Sequence, residues 1–196
     1  MTQKQLPKRL LWVDLEMTGL DPENDRILEV AAIVTDFNFK EIATYHAYVK
    51  QPKKHLELMK LAPWYDWSGG VRKLKGTVYE MADKNGLFED LKEYGKTTKQ
   101  VETELMKLVK THFDQQAILA GNSIHQDRRF IRRYWPKLDE LLHYRMLDVS
   151  AWKVFMQGRF GLNWQKPDNH RATEDIRGSM AELQFYLNEL PILPKK

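Results

Sequence analysis

The sequence predicts one α/β domain, and three observations carry that expectation. Three strand-like segments joined by short turns open the chain. Helix-like and strand-like segments then alternate towards its end. No internal repeat, low-complexity tract or linker divides the 196 residues. A chain of this length is expected to form a single domain over 1–196 and to bury a sizeable core. A hydrophobic content of 42%, with 6 Trp, 8 Tyr and 8 Phe, excludes a disordered chain.

Leu10-Leu11-Trp12-Val13-Asp14-Leu15-Glu16 has the β-branched, aromatic and aliphatic character of a strand, and Thr18-Gly19-Leu20-Asp21-Pro22 reads as the turn that follows. Residues 27–37 and 42–49 are the second and third strands, and Pro52 stops the third. Short connections between them suggest an antiparallel meander. Leu56, Met59 and residues 60–62 suit a short helix before Pro63, and residues 64–70, with Gly69-Gly70, read as a loop. Residues 87–94 look helical. Over 101–113 the helix is amphipathic, because Val101, Leu105, Leu108 and Val109 fall on one face. Residues 117–120 suit a short buried strand, 126–134 a helix broken by Pro136, and 145–149 a further strand. Ser150 is the expected N-cap of a helix over 151–157, and the last helix, 172–190, ends at Pro191.

Composition removes several chemistries. Without cysteine there is no disulfide, no Cys-ligated zinc, no iron–sulfur cluster and no cysteine nucleophile. The net charge is +4; residues 1–98 carry 15 basic and 15 acidic side chains, so the excess lies in the second half. That is too little to demand a nucleic-acid partner. Arg128, Arg129, Arg132 and Arg133 form one basic band at i, i+4 spacing, which fits either an anionic substrate or a solvated face with ion pairs. The first nine residues are polar, and the apolar run at 30–34 is too short to cross a bilayer. A cytoplasmic protein with no membrane partner is therefore expected.

The acidic residues are more informative. Asp14 and Glu16 are two apart in a strand and project from one face, while Leu11, Val13 and Leu15 take the other into the core. Two adjacent carboxylates repel, and a hard divalent cation resolves the repulsion; an isolated Asp-x-Glu, however, is more often an exposed pair. Asp127 stands near a helix start, where an acid also complements the helix dipole. His170 and Asp175 flank the start of the last helix, so both can face one cleft.

Taken in order, Asp14-x-Glu16, Asp127 and His170-x4-Asp175 resemble the DEDDh group of 3′-to-5′ exonucleases. Four flanking blocks narrow the resemblance to the oligoribonuclease family. They are Trp12-Val13-Asp14-Leu15-Glu16-Met17-Thr18-Gly19-Leu20-Asp21, Gly121-Asn122-Ser123-Ile124-His125-Gln126-Asp127-Arg128-Arg129-Phe130, His143-Tyr144-Arg145-Met146-Leu147-Asp148-Val149-Ser150, and His170-Arg171-Ala172-Thr173-Glu174-Asp175-Ile176-Arg177. The match covers 10–50 and 118–188.

The resemblance implies an RNase H-like exonuclease fold, a central mixed β-sheet flanked by helices. It implies hydrolysis of dinucleotides and other very short RNAs to mononucleotides with two divalent metal ions, Mg²⁺ or Mn²⁺. Asp14 is then expected to bridge both metals, Glu16 and Asp175 to hold the one that carries the attacking water, and Asp127 to support the second. His170 is expected as general base, a role that suits an imidazole near neutrality. Leu20 is expected to wedge between the two bases, and Met17 and Gln126 to line the substrate. Ser123, His143, Tyr144, Arg145 and Ser150 are expected to cap its 5′-phosphate; a guanidinium fork suits that task. In the family the His-Tyr-Arg block comes from a partner subunit, so a homodimer is implied.

The middle of the chain departs from the family pattern. The family has a Trp followed five residues later by His, but here Trp64 is followed at that distance by Gly69. Trp64 is the first choice for the base-stacking aromatic, with Trp67 and Tyr79 as rivals. This departure keeps open an exonuclease of the same chemistry acting on longer RNA or DNA ends. A non-catalytic nucleic-acid-binding module is disfavoured because all four carboxylates and His170 are present.

Overall fold

Both faces of the first strand are apolar over Leu10 to Val13, and a strand of that kind belongs in the middle of a sheet covered on both sides. The computed structural model describes residues 7–60, 63–66, 73–84, 86–165 and 171–190. In chain order the elements are β1 (Arg9–Met17), β2 (Ile27–Asp36), β3 (Glu41–Tyr48), α1 (Lys53–Leu58), β4 (Pro63–Asp66), β5 (Lys73–Thr77), α2 (Val78–Lys84), α3 (Leu87–Tyr94), α4 (Thr98–His112), β6 (Ala117–Gly121), α5 (Ile124–Tyr134), α6 (Pro136–Asp139), β7 (Leu142–Asp148), α7 (Val149–Phe160) and α8 (Ala172–Glu189). The main sheet runs β3-β2-β1-β6-β7, with β1 in the centre. β1, β2 and β3 pair antiparallel, as the short turns predict, whereas β6 and β7 run parallel to β1. The sheet is therefore mixed and flanked by helices, the expected RNase H-like arrangement.

Strand alternation divides the core. Leu11, Val13 and Leu15 pack with Val101, Leu105 and Val109 of α4 and Phe130 and Ile131 of α5. Leu10 and Trp12 pack on the opposite face against Ile176, Met180 and Leu183 of α8. Full burial of each such side chain stabilises by about 1.5–3 kcal/mol. Trp12 loses nothing by burial, because its indole N–H donates to Thr35 Oγ1 at 2.9 Å. Asp14 and Glu16 continue the Leu10–Trp12 row, so alternation puts them on the face that α8 covers.

Several boundaries differ from those read in sequence. α4 starts at Thr98 rather than 101, because Thr97 and Gln100 form a capping box ahead of the first apolar residue. α7 starts at Val149, and its N-cap is Asp148, whose carboxylate accepts from Ser150 N at 2.9 Å; Ser150 is not the cap. α7 runs on to Phe160, where Gly161 in the left-handed region closes it. The loop expected over 64–70 is partly strand: Trp64-Tyr65-Asp66 belong to β4, which pairs antiparallel with β5, and α2 follows. The β-propensity of the aromatic pair outweighs the turn signal of the glycines beyond it. Among the described residues, no helix is long and apolar enough to cross a membrane.

Candidate active site

β1 and β6 are in register only from Leu10↔Ile118 to Trp12↔Ala120; beyond that point they diverge. Gly121 permits the close approach just before the split, since a Cβ there would lie 2.9 Å from the Val13 carbonyl oxygen. Past the divergence the Leu15 N–H has lost a strand partner, and Asp127 Oδ1 accepts it at 3.0 Å. β1 and β6 thus part at their carboxyl ends, the position where α/β sheets place ligands.

Three carboxylates meet there. Asp14 and Glu16 project from β1, and Asp175 comes from the first turn of α8. One oxygen of each lies within 4.8 Å of the others. α8 is seated by Ile176, Met180 and Leu183 on Leu10 and Trp12, and the Asp175 amide donates to the Arg171 carbonyl at 2.9 Å. At this separation an ionised pair repels by about 3.5 kcal/mol for an effective dielectric near 20. An all-oxygen group of three carboxylates this close together fits a hard divalent cation.

Asp127 stands apart from that group, tied to the backbone between Asp14 and Glu16. Burial pushes its carboxyl up to about 7, Asp148 adds to the rise, and the hydrogen bond from Leu15 opposes it. His170 and Trp67 lie outside the described residues. Trp64 falls on β4. Tyr79 stacks on Phe88 at 4.5 Å between ring centres, an arrangement that makes it part of the packing around α3.

Ser123 and Ser150 come together although 27 residues apart. Their hydroxyls are 3.1 Å apart, and Ser123 N donates to both Ser150 Oγ and Asp148 Oδ1 at 3.0 Å. Ser123 adopts positive φ (48°) to begin α5. Behind the pair, Ser150 Oγ donates to Asn122 Oδ1, and Asn122 Nδ2 donates to Ser179 Oγ and Glu182 Oε2. Glu182 is 1% exposed and also accepts from Tyr186. This buried support was not read from the sequence; its signal is an acid on the same helical face as Ser179 and Tyr186.

His143, Tyr144 and Arg145 lie on β7, at the sheet's edge. The His143 and Tyr144 rings stack at 4.6 Å, the Arg145 guanidinium sits 5.3 Å from the Tyr144 ring centre, and Tyr144 is 70% exposed. Nearby in sequence, Met146 on β7 and Val154, Phe155 and Phe160 on α7 are exposed apolar residues. Leu20 is 65% exposed, Met17 is half-buried against the core, and Gln126 Oε1 accepts from Arg129 at 2.7 Å. The expected arginine band is divided. Arg128 is buried and bonded to Asp139 and the His143 carbonyl, Arg132 pairs with Asp139 and Arg133 with Glu23. Arg129 faces the Leu20 carbonyl at 3.4 Å.

A second charged group was also missed. Glu29 pairs in register with Glu16 and is 1% exposed. His46 Nε2 lies 2.6 Å from its Oε1 and Arg171 Nε 3.5 Å from its Oε2. Arg171 also donates to Asp90 on α3 at 3.0 Å and to the Tyr48 hydroxyl. Burial, then the hydrogen bond to Asp90, pushes the Tyr48 hydroxyl up to about 12. The residue that follows His170 in the chain is therefore anchored to β2, β3 and α3. The sequence signal was Glu29 alone within an apolar strand.

A family model described as RNase_T, exonuclease, matches residues 11–61 and 70–183. The chain is 36% identical over 189 residues to the oligoribonuclease of Francisella tularensis subsp. holarctica strain OSU18, covering 95% of this chain and 98% of that one. It is 37% identical over 191 residues to the oligoribonuclease of Idiomarina loihiensis, covering 95% and 96%. In structure it is similar to the zinc-bound form of E. coli exonuclease I in complex with single-stranded DNA. The TM-score is 0.65 at 15% identity, over 95% of this chain and 42% of that one. A moderately thermophilic exonuclease I from Methylocaldum szegediense matches with a TM-score of 0.54 at 15% identity, over 93% and 41%. The chain thus spans under half the length of these solved proteins, and at this identity they speak for the fold alone.

Proposed function

The chain belongs to the exonuclease family, among the oligoribonucleases, and from that premise we propose how its site selects and cleaves very short RNA. It is a 3′-to-5′ exoribonuclease. The substrate is a dinucleotide or other very short RNA, and the product is a 5′-mononucleotide. The observation that carries this reading is the convergence of Asp14, Glu16 and Asp175 within 4.8 Å.

Two divalent ions, Mg²⁺ or Mn²⁺, when bound, supply an acidified water and neutralise charge on the phosphate and the leaving oxygen. Asp14 would serve both ions, Glu16 and Asp175 would hold one with it, and Asp127 would support the other from its seat on Leu15 N. His170 accepts the proton of the attacking water. Its oxygen joins the phosphorus of the 3′-terminal phosphodiester, the bond to the neighbouring 3′-oxygen breaks, and that oxygen takes up a proton. Leu20 separates the two bases, with Met17 and Gln126 beside them, and Trp64 stacks on a base. Ser123 and Ser150, with His143, Tyr144 and Arg145, hold the 5′-phosphate and so limit substrate length.

The exposed row on β7 and the exposed apolar residues of α7 favour a homodimer, in which the His143-Tyr144-Arg145 block of each subunit completes the other's site. Solution mass is expected at twice that of the chain. A monomer with full activity rules out completion in trans. The catalytic reading is tested with a 5′-phosphorylated diribonucleotide: purified protein with Mn²⁺ or Mg²⁺ converts it to mononucleotides, and chelation stops it. Tight binding of the dinucleotide with no metal-dependent turnover overturns the reading.

A further inference from the structure

The turn that carries Leu20 is built around one carboxylate. Asp25 Oδ1 accepts from Thr18 Oγ1 at 3.0 Å, and its Oδ2 accepts from Asp21 N at 2.8 Å. The same side chain therefore joins the residues on either side of Gly19-Leu20. It lies so close to the turn that a Cβ on Gly19 would stand 2.4 Å from Asp25 Oδ2, so only glycine fits there while that carboxylate stays in place.

Further bonds lock the frame. Thr18 and Arg26 exchange two, Thr18 N to Arg26 O and Arg26 N to Thr18 Oγ1, both at 2.9 Å. Asp25 N donates to Asp21 O at 2.7 Å. The Asp21 carboxylate accepts from Asn24 Nδ2 and Glu23 N, and the Asn24 bond first of all holds it below the usual carboxylate range. From α5, Tyr134 donates to the Asp25 carbonyl and Arg129 to the Leu20 carbonyl. The outcome is an apolar side chain, 65% exposed, on a backbone braced on both sides. At that exposure Leu20 buries little apolar surface, so core packing contributes little to this order.

We infer that Asp25 is a positioning residue that holds Leu20 at the height needed to enter between two bases, and thereby contributes, beside the 5′-phosphate cap, to the preference for two-nucleotide substrates. The inference rests on the proposed role of Leu20. A wedge acts by shape, and its effect depends on a backbone that does not yield when the bases press on it. Asp25 supplies that stiffness without belonging to the Asp14, Glu16 and Asp175 group.

The test measures kcat and KM for a diribonucleotide and for a strand of about ten nucleotides. The proteins are wild type, Leu20→Ala, Asp25→Ala, the double variant and Asp25→Asn. Leu20→Ala is expected to lower the dinucleotide preference by about tenfold or more, the scale of losing one base-stacking contact. Asp25→Ala is expected to do the same, chiefly through a higher KM for the dinucleotide. The double variant is expected to be no worse than Leu20→Ala, because both changes remove one effect. Asp25→Asn keeps one acceptor and is expected to fall between. A preserved preference in Asp25→Ala, a multiplicative loss in the double variant, or an equal loss on both substrates overturns the positioning role while leaving the function of Leu20 intact. A preserved preference in Leu20→Ala overturns that function and the inference with it.

Discussion

Asp14→Ala is expected to lower diribonucleotide hydrolysis by at least about 10²–10³-fold, the range for deleting one element of transition-state charge stabilisation. The loss should not be a folding defect. Asp14 stands within 4.8 Å of two other carboxylates, so its removal relieves repulsion in the metal-free protein. Circular dichroism without metal is expected to show a folded protein. What should disappear is the stabilisation by added Mn²⁺, about 2.7 kcal/mol at a hundredfold excess over Kd in the wild type. Full Mn²⁺ stabilisation in Asp14→Ala would place the ion elsewhere.

His170→Asn is expected to separate chemistry from metal binding. Asparagine cannot take the proton from water, and loss of a general base costs about 10²–10⁴-fold in kcat. Stabilisation by Mn²⁺ should persist, because the carboxylates of β1 and α8 are untouched. The anchoring of Arg171 to Glu29 and Asp90 should also persist, since it uses no atom of His170. Unchanged turnover in this variant would remove His170 from the mechanism.

The strands around the site were legible in sequence because they follow simple periodicities. The β-branched, aromatic and aliphatic residues of β1 marked a strand, though not its central place, and period two put Asp14 and Glu16 side by side. The meander of β1, β2 and β3 followed from short turns. The β4–β5 hairpin was not legible, since Trp64-Tyr65-Asp66 precede a glycine pair that reads as loop. The start of α4 was missed because its first turn is fixed by the side chains of Thr97 and Gln100 rather than by apolar spacing.

Within the site, the sequence motifs supplied the side chains and the resemblance supplied their roles, but neither supplied the supports. Asp127 holds Leu15 N only because β6 leaves β1 after Trp12, a property of strand register. Glu29 and Arg171 are 142 positions apart, and their ion pair exists only once α8 lies across the sheet. The same holds for Glu182 behind Asn122. Such bonds join elements that a linear pattern keeps apart, whereas Asp25 and Thr18 are seven residues apart and lie within one turn.

A metal-dependent site built for two-nucleotide RNA has its sharpest test in kcat/KM with Mn²⁺ across 5′-phosphorylated RNAs of two to about twenty nucleotides. The highest value is expected for the dinucleotide, with a steep fall for each added nucleotide. Equal or rising values with length, together with robust trimming of the longest strands, would contradict it.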